Sequence, residues 1–252
     1  MKKMLWIVWL VIYSARGFAD VIELRADLWC PYSCDPKTER PGFMVEIAKV
    51  ILENAGHKVN YKSVNWARAI AETREGKIHG IIGASRSDAP DFIIPKRPQG
   101  QSSNFFWANH DEHWEYKKID SIKGKKIGVI NSYSYSDEID QAVHDKNPSF
   151  VIVSGEDALA KMVRMTEAKR LDVFVENPYV LNYWLKEMGQ NKDKFKKVSK
   201  NITVDTDLFV AFSPANSNSK KYAEILSQGM DDLRKNGKLK IILQKYGLHD
   251  WK

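Results

Sequence analysis

Hydrogen-bonding side chains gather at three places where a short apolar run breaks off. Ser85-Arg86-Ser87-Asp88 follows one such run, Asn131-Ser132-Tyr133-Ser134-Tyr135 follows a second, and Glu176-Asn177-Pro178 follows a third. Arg86 carries a permanent charge and a planar fork of donors that matches a carboxylate. Ser85, Ser132, Ser134 and the Asn177 amide add neutral donors and acceptors. Groups of this kind suit the recognition of a small polar solute. No Ser-His-Asp order, phosphate loop or pair of carboxylates at spaced strand ends stands out, so the residues point to binding and not to turnover. No cofactor is expected.

The elements around these clusters alternate. Residues 21–25, 58–64, 78–84 and 102–108 have the look of strands. Between them, residues 43–55 repeat apolar positions at helical spacing, and Asn65 is placed to cap a helix that runs to Glu75. The pattern then begins again, with strands at 125–130, 150–153 and 171–175 and helices from Asp137 and over 155–169. A strand at 207–212 precedes two closing helices, 219–235 and 239–246. Such alternation predicts α/β lobes with helices over mostly parallel sheets. Ligands of such sheets bind outside the carboxyl ends of the strands, where the three polar clusters fall.

The ends and the composition bound the setting. Lys2 and Lys3 followed by an apolar run over 4–13, with Gly17 and Ala19 beyond it, read as a secretory signal peptide over 1–19, cleaved after Ala19. The run is short for a membrane span, which needs about 20 residues. No cysteine follows the cleavage point to carry a lipid. A periplasmic, soluble protein is expected. The net charge of the 252-residue chain is +7, and the leader holds Lys2, Lys3 and Arg16 with no acid, so the remainder is only mildly basic. Its basic residues are scattered, which argues against a nucleic-acid partner. Cys30 and Cys34 are the two cysteines. Export puts them in an oxidising compartment, and their spacing is not that of a redox Cys-x-x-Cys motif, so a structural disulfide is expected. They are too few for a metal site, and His110 and His113 lack the partners to complete one.

Several segments, in order, resemble the family 3 extracellular solute-binding proteins that serve polar amino-acid importers. They are Gly42-Phe-Met-Val-Glu-Ile-Ala48, Trp66-Ala-Arg-Ala-Ile70, Gly76-Lys-Ile-His-Gly80, Ser85-Arg86 six residues before Phe92, Gly124-Lys-Lys-Ile-Gly-Val129, Arg170-Leu-Asp172 and Leu239-Lys-Ile-Ile-Leu-Gln-Lys-Tyr-Gly247. The resemblance implies a type II two-lobed fold whose chain crosses between lobes twice. One lobe would take 20–109 plus 207–252 and the other 117–206, with hinges near 106–109 and 204–208. It implies that Arg86 grips a solute carboxylate, that Ser132, Tyr133 and Ser134 form an opposing loop, and that Trp29, Tyr32 and Trp66 supply aromatic walls. The family's acid for a solute amine falls where this chain has Asn177, with Glu176 beside it. The expected activity is capture of a small polar, carboxylate-bearing solute by a monomer that delivers it to an ABC permease. Two alternatives are a partner that reports the solute to a membrane sensor and a dehydratase-like enzyme on the same scaffold.

Overall fold

A computed structural model describes residues 20–203 and 207–251. The expected signal peptide lies outside the described residues. In chain order the elements are β1 (Val21–Ala26), α1 (Phe43–Asn54), β2 (Lys58–Ser63), α2 (Trp66–Arg74), β3 (Gly80–Ala84), β4 (Gly100–Gln101), β5 (Phe105–Asn109), β6 (Ile127–Ile130), α3 (Asp137–His144), β7 (Phe150–Val153), α4 (Ala158–Glu167), β8 (Val173–Glu176), α5 (Pro178–Glu187), β9 (Phe195–Lys197), β10 (Asp207–Phe212), α6 (Ser219–Lys235) and α7 (Lys238–Gln244).

Two five-stranded sheets organise them, one in the order β2-β1-β3-β10-β4 and the other β7-β6-β8-β5-β9. Each sheet has a parallel core of three strands with antiparallel strands at one side. The chain leaves the first sheet after Gln101, joins the second at Phe105, and returns at Asp207. The strand over 105–109 was grouped with the first lobe in the sequence reading, yet it pairs with β8 and β9 of the second sheet. An apolar strand buried on both faces carries no mark of which sheet it joins. The first passage between sheets is therefore 102–104, ahead of the hinge expected at 106–109. The second expected hinge falls partly on 204–206, outside the described residues. Sequence periodicity also passed over α5, β4 and β9.

The first lobe's core forms because α1 turns Phe43, Met44, Ile47, Ala48, Ile51 and Leu52 inward, where they meet Leu226 and Met230 of α6 and Leu239 and Leu243 of α7. In the second lobe, α4 lays Met162 and Val163 against Phe174 of β8, and Leu181 and Leu185 of α5 join them.

The disulfide loop sits on the open end of α1. Cys30 and Cys34 are bonded. No side chain caps α1. Its first amides are taken instead by the loop, Phe43 N–H donating to Pro31 O at 2.9 Å and Met44 N–H to Tyr32 O at 3.2 Å. That supplies the partners a helix start otherwise lacks. It also fixes Trp29 and Tyr32, whose rings stack with centroids 4.2 Å apart. So close an approach requires Gly42, at φ +110°, because an added Cβ would lie 2.4 Å from Tyr32 O.

Gly42→Ala therefore combines backbone strain with a clash against main chain. It is expected to cost about 2 kcal/mol or more, which lowers Tm by about 4–8 °C in a chain of this size. Thermal denaturation followed by circular dichroism measures it, and an unchanged Tm contradicts this packing of the loop.

Candidate functional site

The strand ends of both sheets face one another across a cavity of about 250 Å³. Asp27 and Trp29 come from the turn after β1. Ser85 and Asp88 come from the turn after β3, and Trp66 opens α2. From the other side, Tyr133, Ser134 and Tyr135 come from the turn after β6, and Ser102 and Asn104 from the passage between the sheets. This is the crevice that parallel sheets leave at their carboxyl edges. A second cavity, of about 430 Å³, lies on the other side of Asp27, Trp29 and Tyr133. It extends between the disulfide loop and the start of α4, with Glu176 in its wall.

Carboxylates of one lobe meet donors of the other throughout the cleft. The Tyr133 hydroxyl donates to Asp27 Oδ2. Ser134 N–H donates to Asp88 Oδ1 at 3.1 Å, while Asp88 Oδ2 accepts from both the N–H and the hydroxyl of Ser85 at 2.7 Å. Trp29 Nε1 donates to Glu176 Oε1 at 3.0 Å, and Asn177 N–H donates to the same oxygen at 2.7 Å. Glu176 Oε2 has no partner, although the residue is 2% exposed. Trp66 Nε1 is likewise buried without a partner. The Tyr133 ring stands edge-on to both Trp29 and Trp66, at 6.5 and 6.1 Å between centroids.

Loss of water around these acids makes them harder to ionise. Burial pushes the carboxyls of Asp27 and Asp88 up to about 6 and that of Glu176 up to about 7, against hydrogen bonds that favour ionisation. Burial also raises the Tyr133 and Tyr135 hydroxyls well above the ordinary range, so both remain donors at any physiological pH.

Of the residues singled out from the sequence, Ser85, Trp29, Trp66, Tyr133 and Ser134 line the first cavity, and Glu176 lines the second. The Glu176 carboxylate faces the first lobe, where Trp29 meets it. Four of the residues stand outside both linings. Arg86 is exposed and sets its guanidinium over the Phe209 ring, 4.7 Å from the centroid. Ser132 is exposed, in the left-handed region at φ +64°, where it turns the chain so that Tyr133 reaches the cleft. Tyr32 donates to Gln101 O at 2.8 Å and accepts from Asn177 Nδ2.

Asn177 has its polar capacity filled by the fold. Its Oδ1 caps α5 by accepting from Tyr179 N–H and Val180 N–H, and its Nδ2 donates to Ser102 Oγ at 2.9 Å and Ser103 O at 3.2 Å. An asparagine before a proline at the first helical position is a strong helix start. A role in holding a solute amine is displaced by these bonds. Asp27 was missed by the sequence reading, and Asp88 entered it only as the last residue of the polar turn Ser85-Arg86-Ser87-Asp88. Asp27 directly follows a strand, so the strand-end rule that found the other clusters also covers it. Among the described residues no group of three or more His, Cys, Asp or Glu side chains is arranged to hold a metal ion.

Comparison with known proteins adds an independent line. The sequence profile described as bacterial extracellular solute-binding proteins, family 3, matches residues 26–249. A probable amino-acid-binding protein, YxeM of Bacillus subtilis (strain 168), is 21% identical over 221 residues, which cover 86% of this chain and 79% of that one. An ancestral arginine-binding protein bound to arginine superposes with a TM-score of 0.70 at 17% identity, covering 91% of this chain and 98% of its own. A histidine kinase sensor domain with similarity to periplasmic binding proteins does so with a TM-score of 0.70 at 19% identity, over 91% and 98% of the two chains. At these identities the superpositions establish the fold.

The raised Glu176 pKa has a measurable consequence. The folded protein holds this proton more tightly than the unfolded chain does. The group's contribution is therefore full below about pH 4.5 and is lost as pH rises to about 7, a change on the order of 3 kcal/mol. Glu176→Gln keeps the acceptor for Trp29 and cannot ionise. The Tm of this variant relative to wild type is expected to rise by several degrees between pH 5 and pH 8. A difference that is flat across that range contradicts the burial of an ionisable Glu176.

Proposed function

The chain belongs to the bacterial extracellular solute-binding proteins, family 3, and from that premise we propose that it captures one small polar solute between its lobes and delivers it to a membrane importer. The family consists of binding proteins and not enzymes, and its members work outside the cytoplasm. The expected leader over 1–19 supports the periplasm as the compartment. Among the described residues no helix is long and apolar enough to cross a membrane.

The observation that carries the reading is the cavity of about 250 Å³ walled by both lobes, with the Trp66 indole in its wall. Trp66, Tyr133 and Trp29 offer apolar faces, and Ser85 and Ser134 stand on opposite lobes. A solute of amino-acid size that touches both sides favours closure by its differential contacts. YxeM, named for amino-acid binding, supports a solute of that size. Arg86 would act on such a solute only by turning from Phe209 into the cleft. The importer reading is favoured by the amino-acid transporter binding proteins among the structural neighbours. The sensor-domain neighbour supports a second reading, in which the closed form signals to a membrane partner.

A thermal-shift panel of amino acids, amines and small carboxylates tests capture. A true solute at a hundred times its Kd adds about 2.7 kcal/mol of stability. With the best member of the panel, Trp66→Leu strips the aromatic face from the cavity wall and is expected to weaken binding about three- to tenfold by calorimetry. Arg97→Ala, whose exposed partner is Asp231, is the control and is expected to leave Kd unchanged. A panel without a single stabilising member, or Trp66→Leu binding as tightly as wild type, contradicts the reading.

A further inference from the structure

The amides that face each other across the cleft already hold an anion, and the chain itself supplies it. Asp88 Oδ2 receives the Ser85 N–H and hydroxyl, and Asp88 Oδ1 receives the Ser134 N–H from the opposite lobe. Two main-chain donors and a hydroxyl converging on one carboxylate make a complete anion cradle. No Lys, Arg or His among the described residues lines either cavity, whereas three carboxylates line the first and six the second. A solute carboxylate entering here meets Asp27 and Asp88 with no countercharge and no free cradle.

A positive group meets the reverse. Asp27 stands in the wall between the two cavities. Glu176 lines the second cavity, and its Oε2 is an acceptor buried without a partner. An ammonium or guanidinium N–H is the donor that oxygen lacks. Trp29 lies between the cavities, and Tyr133 shares its position, so aromatic faces adjoin both acids. Cations are attracted to such faces where water is excluded.

Resting on the capture reading above, we infer that Asp88 takes the place of a solute carboxylate, and that the solute of this cleft is a small organic cation without a carboxylate, held at Asp27 and Glu176. The cation joins the existing interlobe bonds and closes the gap at Glu176 Oε2.

Matched pairs that differ by one carboxylate test this directly. Calorimetry of the mature protein with agmatine against arginine, putrescine against ornithine, and cadaverine against lysine is expected to give, in at least one pair, an amine that binds at least tenfold tighter than its amino acid. Glu176→Gln is expected to weaken that amine at least tenfold with the fold intact by circular dichroism. Asp88→Ala vacates the cradle and is expected to shrink the preference for the amine or reverse it. Tighter or equal binding of the amino acid in every pair overturns the inference yet leaves solute capture standing, because a solute has bound. Failure of all three amines to bind overturns it as well, and capture is then judged by the wider panel. Unaltered affinity of the preferred amine in Glu176→Gln also overturns it, since Glu176 then plays no part.

Discussion

Three carboxylates gathered where the two lobes meet, Glu176 buried and Asp27 and Asp88 half-buried, set the terms for everything around them. Asp27, Asp88 and Glu176 each accept a hydrogen bond from the opposite lobe. Removing a carboxylate from water is costly unless donors replace the lost hydration. Here the replacement donors, the Tyr133 hydroxyl, the Ser134 N–H and the Trp29 indole, lie across a cleft. One bond to each acid is therefore made only while the lobes are together, in place of water. Closure removes water from the acids as it makes these bonds, and loss of water raises each pKa. Glu176 is the incomplete case, with one oxygen served twice and the other not at all.

The rest of the fold holds these groups in register. The disulfide loop fills the uncapped start of α1 and thereby presents Trp29 toward Glu176. Asn177 starts α5 with one end of its amide and ties the second lobe to Ser102 and Tyr32 with the other. The Ser132 turn aims Tyr133 at Asp27. Each is a local device of helix capping or turn geometry, and each ends on a bond between the lobes. A substitution that looks structural at any of them is thus expected to alter the cleft as well.

Much of the fold could be read from the chain because apolar periodicity and strand-end polarity are local signals. The helix over Phe43–Asn54, the strand over Val21–Ala26 and the return at Asp207–Phe212 fall where the pattern put them. The membership of β5 in the second sheet was not legible, since pairing partners lie far along the chain. At the site, residue types at strand ends found Ser85, Tyr133 and Ser134, and the family resemblance pointed to Trp29 and Trp66. They did not find what fills the anion cradle. Asp88 and Arg86 are two residues apart, and either could be the group that meets Ser134. Only the turn after β3 decides that the acid faces inward while the arginine lies over Phe209. Asn177 shows the same limit, because a helix cap and a binding amide look alike in sequence.

The coupling between acid burial and lobe closure is open to direct measurement. Electron–electron double resonance between one spin label on exposed Glu53 of α1 and another on exposed Asp145 beyond α3 reads the separation of the lobes. With a saturating solute from the thermal-shift panel at pH 6, a single narrow, short distance is expected. Tyr133→Phe, which strips Asp27 of its donor, is expected to add a longer and broader population. A wide distribution in the unmodified protein, or one that Tyr133→Phe leaves unchanged, would contradict a cleft held closed by its buried carboxylates.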